Sequence, residues 1–155
     1  MRRDGDCMFN ALAHQLFLIK RSADIKPAQT IRLELVNFIR SDEAMLDKIQ
    51  QGLTNGDTAS SYLDSMLNAG NWGDGNILSA ACKYYHVHIL VYNGIDETPM
   101  NIECVPDVDC TLITLGYVSP MSDTAANHYV SLVATAQSTN TDGETEDART
   151  GMTAQ

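Results

Sequence analysis

Cys7 stands between a short acidic turn and an apolar run, in the segment DGDCMFNAL that covers residues 4–12. At the start of a helix, the dipole and the first free backbone N–H groups stabilise a thiolate and lower the pKa of the thiol. The same N–H groups can hold the oxyanion of an acyl-transfer intermediate, and Gly5 lets the backbone approach closely there. The pattern favours a nucleophilic thiol; the alternative is a buried structural cysteine.

A nucleophilic cysteine needs a histidine as its base, and the chain has four histidines. His14 lies two helical turns beyond Cys7, about 10 Å from the start of that helix. His86 and His88 open a predicted strand and share one face. With a third ligand they could bind a metal ion, but two histidines alone do not form a metal site, so we expect no metal. His128 lies where a polar loop meets a strand, a position typical of catalytic side chains, so we favour it as the base.

Apolar periodicity and turn residues predict the elements that must position these side chains. The first helix is predicted from the N-cap Asp6 to about Ile19, and the second begins at Pro27. Further helices are predicted over 44–51, from residue 62 and over 77–85, and strands over 86–92, 101–105, 110–117 and 128–134. A helix followed directly by an apolar strand predicts an α/β layer arrangement, with that strand near the centre of a mixed sheet.

Length and composition limit the classes of protein. The chain of 155 residues is most simply one domain followed by a polar, acidic segment, 137–155, that we predict to be a disordered tail. A formal net charge of −10 argues against nucleic acid as a partner, and the lack of a long apolar run argues against a membrane span. The four cysteines have irregular spacing, so we expect reduced thiols in a cytosol-like compartment.

Four blocks of the sequence, in order, resemble the ovarian tumour (OTU) family of deubiquitinases. The segment DGDCMFNAL is similar to the nucleophile motif of that family, D-G-(D/N/S)-C-(L/M)-(F/Y)-R-A. The stretch from Trp72-Gly73 to Tyr85 resembles its W-G-x-x-(I/L)-E helix, and residues 88–93 (HILVYN) resemble the strand that follows. Asn127-His128-Tyr129 resembles its histidine motif, so the similarity runs from about residue 3 to 134.

The resemblance implies an α/β (α+β) papain-like OTU fold, with a central mixed sheet of about five strands flanked by helices. The domain would span residues 1–136, and we expect its N-terminus to be truncated. The implied activity is that of a thiol protease, a deubiquitinase that hydrolyses isopeptide bonds after the C-terminal Gly-Gly of ubiquitin or a ubiquitin-like protein. The partners would be such conjugates. We expect a monomer without a cofactor, in the cytoplasm, which could be that of a host cell.

The resemblance also implies roles for individual residues. Cys7 matches the nucleophile, His128 the general base, and Asp4 an acid that shapes the turn and the oxyanion region. Tyr129 matches an aromatic residue that shapes the substrate groove. The residues that we assign to substrate binding are Tyr129, Asn127, Gly5 and Asp6. Trp72 matches a mainly structural residue, and we expect it to be a packing anchor.

The sequence departs from the family pattern at Val130, where an Asn or Asp usually orients the imidazole. Strand alternation puts Val130 on the face of His128 and Ser131 on the other face. The orienting oxygen then comes from another segment, for example from Asp4 or Asp6, or is lacking. The alternative function is therefore a catalytically weak or inactive OTU-like module that binds ubiquitin; another thiol acyl-transfer enzyme is a second alternative. Asn10 also replaces a common Arg, and there we expect altered packing only.

Overall fold

The fold was analysed in a computed structural model, which describes residues 5–94, 98–102, 109–118, 128–134 and, for the backbone, 152–154. The described helices are α1 (Cys7–Leu18), α2 (Ala28–Ser41), α3 (Glu43–Gly52), α4 (Ala59–Met66) and α5 (Gly75–Tyr85). The described strands are β1 (Val87–Tyr92), β2 (Met100–Ile102), β3 (Thr111–Val118), β4 (His128–Ala134) and β5 (Met152–Ala154). Helices α1–α5 and strands β1–β4 follow the predicted element order, and β5 was not predicted.

The strands form one mixed sheet in the order β2-β1-β3-β4-β5. The β1–β3 pair is parallel, and the other three neighbouring pairs are antiparallel. The predicted mixed sheet of about five strands is therefore confirmed, with β1 as an interior strand. Its residues alternate between buried and half-buried, because one face packs on the helices.

Strand β5 lies within the segment predicted as a disordered tail. The backbone of residues 152–154 pairs with β4, whose Leu132, Val133 and Ala134 face it in antiparallel register. These three residues differ from the prediction because the outer edge of β4 offers unpaired N–H and C=O groups to an added strand. Residues 137–151 and 155 lie outside the described part.

The core is formed where α1 lies between the sheet and α2. Phe9, Leu12 and Leu16 recur at helical spacing and are at most 1% exposed. Because α1 packs against β4 on one side and α2 on another, its polar residue Gln15 is buried together with the apolar ones. Helix α2 begins after Pro27, as predicted, and turns an apolar face inward.

The junction of α5 and β1 corrects the prediction for His86. This residue is the C-cap of α5 in the left-handed conformation, with φ 54°, and the strand starts one residue later at Val87. A left-handed residue ends a helix by turning the chain, so His86 does not share a strand face with His88. Among the described residues, no group of three or more His, Cys, Asp or Glu side chains is placed to hold a metal ion.

The cysteines do not share one state. Cys7 and Cys82 are buried and form no disulfide. Cys110 is disulfide-bonded, which differs from the expectation of reduced thiols, because disulfide formation depends on proximity in space rather than on spacing in sequence. Within the described ranges, no helix combines the length and apolar character needed to cross a bilayer.

Candidate active site

Cys7 is the first residue of α1, where the sequence analysis expected a nucleophile. Its side chain is only 5% exposed. The backbone N–H of Tyr129, the second residue of β4, donates to Cys7 Sγ at 3.4 Å, across 122 positions of the chain. The first helix and the last long strand therefore meet at the sulfur.

His128 is the residue directly before this contact. It opens β4, pairs with Val118 of β3 and has an exposed side chain. The other three histidines lie elsewhere: Nδ1 of His14 is 2.7 Å from Ser131 Oγ, His86 caps α5 and His88 lies within β1. Of the four histidines, His128 is the one adjacent in sequence to a residue that touches Cys7.

Gly5 holds the turn before Cys7 against the loop that precedes α5. Its N–H donates to the carbonyl of Gly70 at 3.0 Å. A Cβ on Gly5 would lie 2.2 Å from that carbonyl oxygen and 2.6 Å from the backbone N of Trp72. The close approach of two backbones therefore requires glycine, for packing on the 70–72 loop that the sequence did not predict.

Asp6 occupies the N-cap position of α1, as predicted, but its side chain makes no capping hydrogen bond. Its Oδ1 accepts instead from Arg32 Nε at 2.9 Å, from Arg32 Nη2 at 2.5 Å and from the backbone N of Gly70 at 3.2 Å. This oxygen therefore binds Arg32 of α2 and the Gly70 N–H. The sequence had left open that Asp6 orients an imidazole instead.

Arg32 is a residue of the site region that the sequence analysis missed. It is 0% exposed, and its guanidinium lies 4.0 Å from the ring centroid of Phe9. It donates to the carbonyl of Gly5 at 3.2 Å, to the carbonyl of Met66 at 2.8 Å and also to the carbonyl of Asn71. A signal was present, because Arg32 interrupts the apolar stripe of α2 next to Ile31, and a charge on a buried stripe needs partners.

Tyr129 has both Cys7 and Asp74 near its hydroxyl-bearing ring. The Tyr129 ring packs 4.9 Å from that of Tyr117. Burial raises the pKa of Tyr129, and the nearby Tyr117, Cys7 and Asp74 raise it further. Asp74 caps α5 by accepting from the N–H groups of residues 76 and 77, and it also accepts from the Tyr62 hydroxyl at 2.7 and 2.8 Å.

Trp72 does not act as the buried packing anchor that the sequence analysis expected. Its side chain is 44% exposed, while its backbone packs on Gly5. The hydrogen bonds of Gly5, Asp6 and Arg32 already hold the 70–72 loop, so the indole is not needed for that purpose.

The residues on β4 follow the predicted alternation. A Cβ on Gly116 would lie 2.8 Å from Val130 Cγ2, so Val130 faces that side, with Leu132 beside it. Ser131 faces α1 and is bonded to His14 and Gln15. The remaining predicted site residues, Asp4 and Asn127, lie outside the described residues.

Comparison with known proteins agrees with the fold and the motifs. A family model described as OTU-like cysteine protease matches residues 2–129. An ovarian tumor domain-containing deubiquitinating enzyme 10 of Arabidopsis thaliana is 35% identical over 103 residues, which is 66% of this chain and 26% of that protein. The chain therefore spans about a quarter of the length of this relative.

Two solved structures share the fold at low sequence identity. The OTU domain of OTUD1 aligns with a TM-score of 0.56 and 17% identity, over 83% of this chain and 79% of that one. An OTU deubiquitinase of Wolbachia pipientis wMel, solved bound to ubiquitin, aligns with a TM-score of 0.53 and 15% identity, over 84% and 90%. With a family model that spans most of its length and an α+β fold shared with these domains, the chain belongs to the OTU-like cysteine proteases.

Proposed function

We propose that this domain is a deubiquitinase, which hydrolyses the isopeptide bond after the C-terminal Gly-Gly of ubiquitin or a ubiquitin-like protein. The observation that carries the proposal is the 3.4 Å contact between Cys7 Sγ and the backbone N of Tyr129. It supports a nucleophile at the start of α1 with the base His128 next to it, the arrangement that thiol acyl transfer requires.

In the proposed mechanism His128 takes the proton of the Cys7 thiol, and the thiolate attacks the scissile carbonyl. Backbone N–H groups at the start of α1 hold the oxyanion. The imidazolium then protonates the leaving lysine amine, and the C–N bond breaks to give an acyl-enzyme. His128 next takes a proton from water, which attacks the thioester and releases the carboxylate and the free thiol.

We assign the groove for the Gly-Gly tail to the surroundings of the sulfur. Tyr129 would form one wall, and the turn of Gly5 and Asp6 the base, which is supported by hydrogen bonds with Gly70 and Arg32. Asp4 and Asn127 remain assigned to the oxyanion region and the groove from the family resemblance. The relative solved bound to ubiquitin supports ubiquitin as the modifier.

The test is covalent labelling with a ubiquitin probe that carries a C-terminal electrophile. We expect the wild type to form one stable adduct, Cys7→Ala none, and His128→Ala an adduct at a rate lower by about 100-fold, the usual contribution of a positioned base. Cys82→Ala is the matched control because Cys82 is a second buried thiol, which donates to the carbonyl of Ile102. It should label like the wild type.

Labelling that persists in Cys7→Ala would reject the assigned nucleophile. The second candidate function is a ubiquitin-binding module without turnover, and Val130 favours it because an apolar side chain stands where an orienting amide or carboxylate is usual. That function would give saturable binding of free ubiquitin without an adduct in the wild type. An adduct on Cys7 together with release of free ubiquitin from a diubiquitin substrate would exclude it.

A further inference from the structure

We propose that Gln15, on the helix of the nucleophile, is a positioning residue for the reaction at Cys7. Its side-chain amide joins β3 to β4, the strand that His128 opens. The inference rests on the proposed function, in which His128 serves Cys7 as a base. It assigns to Gln15 the task of holding the strand of the base in place relative to the helix of the nucleophile.

The Gln15 amide lies where the backbone pairing of β3 and β4 ends, beside a hydrogen bond from the Thr114 hydroxyl to the Leu132 carbonyl at 3.1 Å. The paired residues end at Leu115 and Ser131, and Thr114 and Leu132 come next in the same register. There the backbone N–H of Thr114 donates to Gln15 Oε1 at 3.3 Å, and Gln15 Nε2 donates to the carbonyl of Leu132 at 2.7 Å. The side chain therefore takes the place of a strand peptide group, with its acceptor towards β3 and its donor towards β4.

The second N–H of the same amide binds a buried hydroxyl. Gln15 Nε2 donates to Ser131 Oγ at 2.8 Å, and His14 Nδ1 lies 2.7 Å from the same oxygen. Gln15 is 4% exposed and Ser131 is 2% exposed, so water does not compete for these groups. We call the set of Gln15, Ser131, His14 and the Leu132 carbonyl the α1–β4 network.

The hydrogen bonds of this network are directional, whereas the rest of the contact between α1 and β4 is apolar. The neighbours of Gln15 on α1, Leu12 and Leu16, are fully or almost fully buried apolar residues, and apolar packing by itself tolerates small sliding. Hydrogen bonds weaken steeply when misaligned, and a buried polar group without a partner costs about 1–3 kcal/mol. The bonds of Gln15 therefore favour one position of β4 along α1.

Two separate contacts then define how β4 lies on α1. One is the Tyr129 N–H to Cys7 Sγ contact, and the other is the α1–β4 network. Gln15 lies about 12 Å beyond Cys7 along the helix, and Ser131 about 7 Å beyond Tyr129 along the strand. Strand β3 already pairs with residues 128–131 of β4, and the two contacts with α1 orient this strand pair and so set the approach of His128.

The test replaces Gln15 by Met, which has similar length and no amide, and compares kcat, KM and the pH profile of Cys7 alkylation by iodoacetamide. We expect Gln15→Met to lower kcat on a ubiquitin substrate about 10- to 100-fold, the cost of a misplacement near 1 Å. KM should change less than about two-fold, because the groove is left intact. The pH profile of alkylation should change in the same direction as it does in His128→Ala.

Ile49→Ala is the control for lost stability. Ile49 is 3% exposed on α3, which packs against α2 and α4. The truncation should cost about 2–5 kcal/mol in urea unfolding while kcat and the alkylation profile stay unchanged. Ser131→Ala should lower kcat as Gln15→Met does, and the double variant should lose no more than the larger single loss, because both residues act through one network.

Three results would overturn the inference. The first is a folded Gln15→Met protein with wild-type kcat and alkylation profile. The second is an equal loss of kcat in Ile49→Ala, and the third is additive losses in the double variant. If His128→Ala shifts the alkylation profile and Gln15→Met does not, the role of Gln15 fails while the proposed function stands. If neither shifts it, the Cys7–His128 pair fails and the inference falls with it.

Discussion

At the scale of single residues, Arg32 joins the largest number of separate segments around Cys7 in the described part of the chain. It binds Asp6 and the carbonyls of Gly5, Met66 and Asn71, and is fully buried. A buried cation is tolerated only when it is paired and its donors are satisfied, and both conditions hold here. Arg32 thus links α2, the end of α4 and the 70–72 loop to the turn before Cys7.

We predict that Arg32→Met destabilises the fold by about 3–5 kcal/mol, because it leaves Asp6 without its cation and several carbonyls without a donor. The measurement is urea unfolding followed by circular dichroism. Arg40→Met is the matched control on the same helix, because Arg40 pairs with Asp64 at an exposed position. Its loss should stay below about 1 kcal/mol, and equal losses in both variants would contradict the role of Arg32.

At the scale of elements, the site depends on one close approach of two backbones. The turn at Gly5 touches the loop at Gly70 and Trp72, and the next residues begin α1. The same two segments are linked by Asp6, whose Oδ1 accepts from the Gly70 N–H. The position of Cys7 therefore depends on a loop more than sixty residues later in the chain.

We predict that Gly5→Ala costs about 1–3 kcal/mol and reduces probe labelling of Cys7, because the new methyl group would force the turn away from Gly70. Gly52→Ala is the control: a Cβ there meets nothing within 4 Å, and Gly52 ends α3. That change should be neutral or stabilise by up to about 1 kcal/mol, since alanine favours the helix. Wild-type labelling of a stable Gly5→Ala protein would show that the close approach is dispensable.

At the scale of the whole molecule, the hydrogen bonds of two half-buried tyrosine hydroxyls make the stability of the fold depend on pH. Tyr62 donates to Asp74, and Tyr85 donates to Glu34, each from a partly enclosed position. Burial raises the pKa of both hydroxyls above the ordinary value of 10.0, and the adjacent carboxylates raise it further. The folded state therefore keeps both phenols protonated where the unfolded chain would lose those protons.

We predict that stability falls above pH 10, the ordinary pKa of a tyrosine. A raised pKa contributes stability that is fully present below the unfolded value and is lost as the pH rises through the folded one. Each phenol should add a slope of about 1.4 kcal/mol per pH unit to urea stability above pH 10. Tyr62→Phe should remove one such slope, whereas Tyr84→Phe, at an exposed position, should not. Equal slopes in both variants would contradict the prediction.

The sequence by itself determined the local elements and the family to which the chain belongs. Helical spacing in α1 and α2, the helix of the W-G block and the bounds of β4 follow from short-range periodicity, and the cysteine and histidine motifs pointed to an OTU-like cysteine protease. Predictions from local patterns were wrong for two residues next to element boundaries. His86 ended α5 instead of starting β1, and Trp72 stayed exposed.

Only the tertiary structure decided which distant groups meet. The fold places the Tyr129 N–H against Cys7 Sγ and pairs Asp6 with Arg32. It also inserts the Gln15 amide between β3 and β4. The spacing of these residues in the sequence does not predict such contacts, because hydrogen bonds depend on distance and direction in space. Distance and direction are set by how the helices pack on the sheet. A sequence lists donors and acceptors, and packing selects their partners.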